Sequence, residues 1–132
     1  MKNLFFAAAL LFMVSCSPKL APDQKWPDKK WTLYELNGST SLKGADGDIT
    51  FQFNTAEQRI SGYGGCNRVS GPYTMDGKGS LKFGMLISTR MACPDMSTED
   101  ALMAAFPKTD SYEIRNNELW LKKGNEVLMK FR

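Results

Sequence analysis

From Trp31 to the C-terminus, apolar residues recur mostly at every second position, and this spacing constrains the fold more than any other feature of the chain. A period of two puts alternate side chains on opposite faces of an extended strand, whereas a helix needs a period near 3.6. Ile49-Thr50-Phe51-Gln52-Phe53 alternates cleanly and reads as a half-buried strand. Trp31 to Leu36 places Trp31, Leu33 and Glu35 on one face and Thr32, Tyr34 and Leu36 on the other, then stops at the turn dipeptide Asn37-Gly38. Arg59 to Tyr63, Val69 to Met75, Leu81 to Phe83 and Leu86 to Ser88 continue the pattern. Tyr112 to Ile114, Leu119 to Leu121 and Val127 to Phe131 form a C-terminal meander. Its turns, Asn116-Asn117 and Lys123-Gly124-Asn125, are built from residues that tolerate positive φ.

One segment breaks the period. Ser97-Thr98-Glu99-Asp100 offers an N-cap with acids in the first turn, where they favour the helix dipole. Ala101, Leu102, Ala105 and Phe106 make a narrow apolar stripe, and Pro107 stops it. Leu102 and Phe106 are expected to plug the open side of the sheet. The expected fold is α+β: a strongly twisted antiparallel sheet of about seven or eight short strands, curled toward a partial barrel, with one helix around 98–106.

The N-terminus is of another kind. Lys2 precedes an unbroken apolar run from Leu4 to Val14. That run is too short for a membrane-spanning helix, which needs roughly 20 residues, and it reads as an export signal. It ends in Met13-Val14-Ser15-Cys16, which resembles the bacterial lipobox, where cleavage precedes the cysteine and the new N-terminus is acylated. The expected organisation is a lipoprotein signal peptide over 1–15, lipidated Cys16 with a Pro/Lys-rich tether over 16–30, and a folded domain over 31–132. The start Cys16-Ser17-Pro18-Lys19 has no aspartate directly after the cysteine and no acidic run, a pattern that resembles lipoproteins sent to the outer membrane with a periplasm-facing body.

Composition then excludes several chemistries. The chain has no histidine, so Ser-His-Asp and Cys-His catalysis and histidine-containing metal sites are impossible from it alone. Without Lys2 the balance is 16 basic to 14 acidic residues, too even for nucleic-acid binding, and no basic stretch exceeds Lys29-Lys30 or Lys122-Lys123. No CxxC, P-loop or GxGxxG occurs, and no cofactor is expected. With Cys16 taken by lipid, Cys66 and Cys93 remain as a pair, and in an oxidising compartment a structural disulfide is the default. Closing that loop would add about 3.5 kcal/mol in the chain-entropy picture. The alternative, a redox-active pair, lacks CxxC spacing and an evident device for lowering a thiol pKa, Arg68 and Arg90 being the only nearby cations.

Gly64-Gly65-Cys66-Asn67-Arg68 with Ser70-Gly71-Pro72-Tyr73, followed by Ser88-Thr89-Arg90-Met91-Ala92-Cys93, resembles the paired signature of the META/HslJ domain family. Trp31-Thr32-Leu33 resembles the family's opening strand, Glu99 and Phe106 its helix, and Leu119-Trp120-Leu121 its penultimate strand. The resemblance covers about residues 29 to 132. It implies a small α+β domain, often secreted or lipid-anchored and linked by name to heat shock and envelope stress, with no enzymatic activity generally assigned.

Physically, Gly62, Gly64 and Gly65 give the backbone latitude for a sharp bend beside Cys66. Asn67 can satisfy buried backbone groups through its amide, and Arg90 can clamp carbonyls or a carboxylate. Either Asn67 and Arg90 knit the two loops together, or Tyr63, Asn67, Arg68, Thr89 and Arg90 form a polar patch that grips a partner. Three bland features complete the survey. Asn37-Gly38-Ser39 is a turn rather than a glycosylation site, Asp46 and Asp48 fit no calcium loop, and the scattered methionines fill core.

The expected function is a non-enzymatic, lipid-anchored envelope protein, a binding or accessory module in envelope stress tolerance. Its partners would be the membrane, through the lipid on Cys16, and an unknown envelope protein or outer-membrane component. The alternative is a thiol-redox enzyme or sensor using Cys66 and Cys93. A hydrolase using Ser88 or Thr89 with a lysine base is weaker still, because neither residue sits in a nucleophile elbow. Cys16→Ala should release the protein into the soluble periplasm, and continued membrane fractionation would contradict the lipoprotein assignment.

Overall fold

The computed structural model describes Trp26 and residues 28–132. The expected signal peptide, Cys16 and most of the tether lie outside the described residues. Among the described residues nine strands run in chain order: β1 (Lys30–Leu36), β2 (Thr50–Asn54), β3 (Arg59–Tyr63), β4 (Arg68–Met75), β5 (Leu81–Phe83), β6 (Ile87–Ser88), β7 (Ser111–Arg115), β8 (Glu118–Lys123) and β9 (Glu126–Phe131). Between β6 and β7 lie the helix α1 (Ser97–Ala105) and a single 3-10 turn over Phe106–Lys108 that carries Pro107. All strand pairs are antiparallel, in the order β5-β4-β3-β2-β1-β9-β8-β7, with β6 also on β4.

Strand β1 joins the two halves of this sheet. Its first residues pair with β2, as in Trp31 with Phe51, and its last pair with β9, as in Leu36 with Met129. A bulge between Leu33 and Glu35 makes the change of partner. It also corrects the expected alternation: the extra residue shifts the phase, so Leu36 enters the core while Glu35 turns out to meet Lys130 at 2.9 Å. The sheet curls but stays open. Its edges β5 and β7 meet at one corner, where Ser80 bridges Ser111 and the Tyr112 N–H donates to the Gly79 carbonyl at 2.8 Å.

The concave side holds a core of aromatic and branched side chains, with Trp31, Phe51, Ile60, Leu81, Leu102, Phe106, Leu119, Leu121, Met129 and Phe131 fully buried. Trp26, within the segment read as tether, is also buried and packs edge-on against Phe53 (4.9 Å) and Tyr112 (5.0 Å). Helix α1 covers the open side as expected. Phe106, just past its end, meets Phe51 at 5.2 Å and Phe83 at 4.8 Å, in edge-to-face geometries favoured by aromatic quadrupoles.

The start of α1 differs from the expected Ser97 cap. Met96 occupies the cap position without a side-chain bond, and the Asp95 carboxylate instead accepts the Ser97 N–H at 3.0 Å. The two expected Asn turns hold: Asn37 (φ 49°) with Gly38 (φ 80°), and Asn116 (φ 49°) with Asn117 (φ 65°), lie in the left-handed region that tight hairpins need.

On the convex side of β8 and β9, Trp120 lies between Arg115 and Lys130, each 4.7 Å from its ring. Tyr34 donates to Glu118 at 2.8 Å, and burial together with that carboxylate pushes its pKa up to about 12.

Phe106→Ala should destabilise the protein by roughly 3–5 kcal/mol, since Phe51 and Phe83 would both line a void. Urea unfolding should show a lower midpoint at an unchanged slope. A midpoint like that of wild type would mean that the helix end does not close the core.

Candidate functional site

The four residues Gly64-Gly65-Cys66-Asn67 turn β3 into β4. Gly65 has φ +118°, a conformation that side chains rarely adopt. Gly64 is required by proximity instead: a Cβ there would sit 3.0 Å from Glu99 Oε2 and 3.1 Å from Val69 Cγ2. The turn therefore lies against the first turn of α1.

What it meets is a buried carboxyl. Glu99 is 4% exposed, and its Oε2 accepts the backbone N–H groups of Cys66 (2.8 Å) and Asn67 (2.6 Å). Its Oε1 accepts from Asn67 Nδ2 at 2.7 Å. Asn67, 3% exposed, then reaches the other motif. Its Oδ1 accepts the Met91 N–H (2.7 Å) and the Thr89 hydroxyl (2.9 Å), and its Nδ2 also faces the Met91 carbonyl at 3.3 Å. Cys66 and Cys93 are joined by a disulfide with Cα atoms 6.0 Å apart. A fourth segment closes in from the side: the Ala45 N–H donates to the Gly65 carbonyl at 2.6 Å, and the Lys43 N–H to the Thr98 hydroxyl at 3.1 Å.

The structure thus brings four of the five expected patch residues together and divides their roles. Asn67 is the knot between the loops. Thr89 is exposed, but its hydroxyl already bonds Asn67 and accepts the Arg68 N–H at 3.1 Å. The half-buried Tyr63 hydroxyl donates to the Gly65 carbonyl (2.6 Å) and accepts the Asp46 N–H (3.1 Å). Arg68 is exposed and, among the described residues, makes no side-chain hydrogen bond or ion pair.

Arg90 corrects the expectation of a knitting role. It too is exposed, and among the described residues it makes neither a hydrogen bond nor an ion pair. The backbone of Met91 and the side chain of Thr89 supply the contacts that Arg90 was expected to make. Being shorter and fixed by the chain, they reach the buried Asn67 at lower cost in side-chain entropy.

The charge of Glu99 accounts for its place in the first turn but not for its part in the junction. The signal was present in its spacing: Glu99, Leu102 and Phe106 fall at i, i+3 and i+7, one face of a helix, so the carboxyl points where the apolar stripe points.

Outside the junction, Tyr63, Arg68 and Thr89 line two neighbouring concavities. One, of about 590 Å³, lies over the convex face of β2, β3, β4 and β6, floored by Thr50, Ser61 and Ser70 and edged by Lys30 and Ile87. The other, of about 440 Å³, is bounded also by Asp46, Cys66 and Met91. Among the described residues no three Asp, Glu or Cys side chains converge as a metal-ligand set.

A family model described as the META domain matches residues 24–132. Among solved structures, the chain is similar to an NMR structure of a protein from Burkholderia xenovorans, with 27% identity over 87% of this chain and 92% of that one and a TM-score of 0.60. A second NMR structure, at 22% identity over 80% of this chain and 88% of the other, has a TM-score of 0.61 and shares the fold. No curated protein matches.

Glu99→Gln would set an amide N–H₂ against the N–H donors it faces, leaving at least one buried group unsatisfied at a cost of roughly 1–3 kcal/mol. Cys66→Ser should lower the melting temperature by about ten degrees or more, since ~1 kcal/mol shifts such a domain by roughly 4–8 °C. Calorimetry of the double variant should show less than the sum, because both changes loosen one junction. Strict additivity would mean that the disulfide and the Glu99 bonds act independently.

Proposed function

This chain belongs to the META domain family, and from that premise we propose that it is a non-enzymatic, lipid-anchored module of the bacterial cell envelope that works by binding. In this reading the signal is cut before Cys16, acylated Cys16 holds the protein at the outer membrane, and the folded body faces the periplasm. The partner is an envelope protein or outer-membrane component, and the family resemblance suggests a setting of envelope stress.

The observation that carries the reading is the position of Arg68. It is an exposed guanidinium, without a partner among the described residues, between two concavities of about 590 and 440 Å³. Five donors in a planar fork suit an anionic or carbonyl-rich partner. Tyr63 and Thr89 beside it are held by their own hydrogen bonds, so they offer a wall that loses little entropy on binding. Support for a binding role over a hydrolase comes from Thr89, whose hydroxyl donates to an amide oxygen; an amide is too weakly basic to take its proton. The disulfide fits a structural role, since Cys66 is 5% exposed and tied to the same junction.

In-cell crosslinking and mass-spectrometric pull-down should compare wild type with Arg68→Ala. An exposed substitution of this kind should change stability by no more than about 0.5 kcal/mol, so the melting curve should be unaltered. A partner captured by wild type and lost from the folded variant is the expected outcome. A partner retained in full would remove this patch from the binding role.

A further inference from the structure

Among the described residues, the large hydrophobic side chains left exposed are Met85 (85%), Ile87 (62%) and Met91 (61%), which corrects for Met85 and Met91 the expectation that the methionines fill core. All three lie on one stretch of seven residues, whereas surface apolar residues of no consequence are scattered singly. They are also held in place. Leu86 turns inward against the core, which Gly71 permits: a Cβ there would come within 2.5 Å of Leu86 Cδ2. Its neighbours Met85 and Ile87 are therefore turned outward by alternation.

The stretch is pinned at both ends. The Gly84 N–H donates to the Pro72 carbonyl at 2.9 Å, and Ile87 and Ser88 pair with Ser70 and Val69. Beyond them, Asn67 takes the Met91 N–H, and Cys93 is in the disulfide. Exposure here belongs to the folded state and is not local fraying.

Charge indicates what covers it. Between Asp76 and Asp95 the chain carries Lys78, Lys82 and Arg90 and no acid, and Arg68 stands across the sheet on β4. Asp46 shares the smaller concavity with Met91, but the cations Lys82, Arg90 and Arg68 outnumber it. Apolar tips flanked mostly by cations are what an anionic bilayer surface accepts: the tips enter the headgroup boundary and the cations meet phosphates. We propose that the edge formed by Met85, Ile87 and Met91, with Lys82 and Arg90 beside it, docks the folded body onto an anionic phospholipid leaflet. This goes beyond the binding patch and rests in part on the anchor reading. Nine residues, 17–25, lie between Cys16 and Trp26, so the body would stay within about 35 Å of the bilayer, near enough for weak contact to act.

Methionine oxidation reads the contact directly. The processed protein, as the cell makes it, is placed with vesicles of phosphatidylcholine alone or mixed with phosphatidylglycerol, and treated with the water-soluble oxidant chloramine-T. Sulfoxide formation is followed residue by residue, with Met103 on α1, half-buried, as the internal reference. The anionic vesicles should slow oxidation of Met85 and Met91 by roughly fivefold or more relative to Met103, and the neutral ones should not. Ile87→Ser combined with Lys82→Glu, both at exposed positions, should abolish the slowing with an unchanged melting curve.

Equal rates with both vesicles, or slowing that survives the double variant, overturns the proposal. So does slowing that depends on protein concentration without vesicles, which would assign the edge to a second copy of the chain. The intact mass of the mature N-terminus reports acylation separately, and unacylated protein is assayed in the same way by addition to vesicles. Failure of the anchor and failure of the docking edge are thereby read apart.

Discussion

A single buried carboxyl organises the junction between the β3–β4 turn and the helix. Glu99 comes from the helix, yet its three hydrogen bonds all go to the β3–β4 turn, two of them to backbone N–H groups that have no strand partner. A polar group this deeply enclosed is tolerated only when its partners are in place, and leaving them out would be more costly than the bonds are favourable. The conformation of the turn, the approach of the helix and the need for glycine at position 64 therefore follow from one contact.

Asn67 extends the constraint outward. Its side chain offers acceptor and donor at once, and it uses both: toward Glu99 on one side and toward Thr89 and Met91 on the other. The disulfide runs parallel to this path and fixes the same two segments covalently. Arg68, Ile87 and Met91 are thus displayed beside a junction whose buried Glu99 and Asn67 side chains are hydrogen-bonded. A rigid display of this kind limits the entropy lost on association, which is where small binding surfaces otherwise fail.

Most of the sheet was legible because a half-buried strand must alternate, and β2, β4 and β5 do so without interruption. The two asparagine turns were legible for a similar reason, since few residues accept positive φ. The alternation failed where β1 changes partner at its bulge, because a bulge is a property of the pair of strands and leaves no mark in one of them. It failed again at the helix start, where Asp95, two residues outside the expected box, supplies the acceptor. Burial of Trp26 could not be read from a segment rich in proline and charge, because what holds that ring is Phe53 and Tyr112, far along the chain.

The candidate site divides along the same line. By itself the amino-acid sequence determined the alternating strands and the helix before Pro107, which depend on local period, and it pointed to the Cys66–Cys93 pair that the structure joins. Only the tertiary structure decided which motif residues face inward. Asn67 and Arg90 look alike as polar loop residues, but one lies over a buried carboxyl and the other over solvent, and that difference is set by where the helix packs. For the same reason the clustering of Met85, Ile87 and Met91 as an exposed edge emerged only once Leu86 was seen to take the inward position against Gly71.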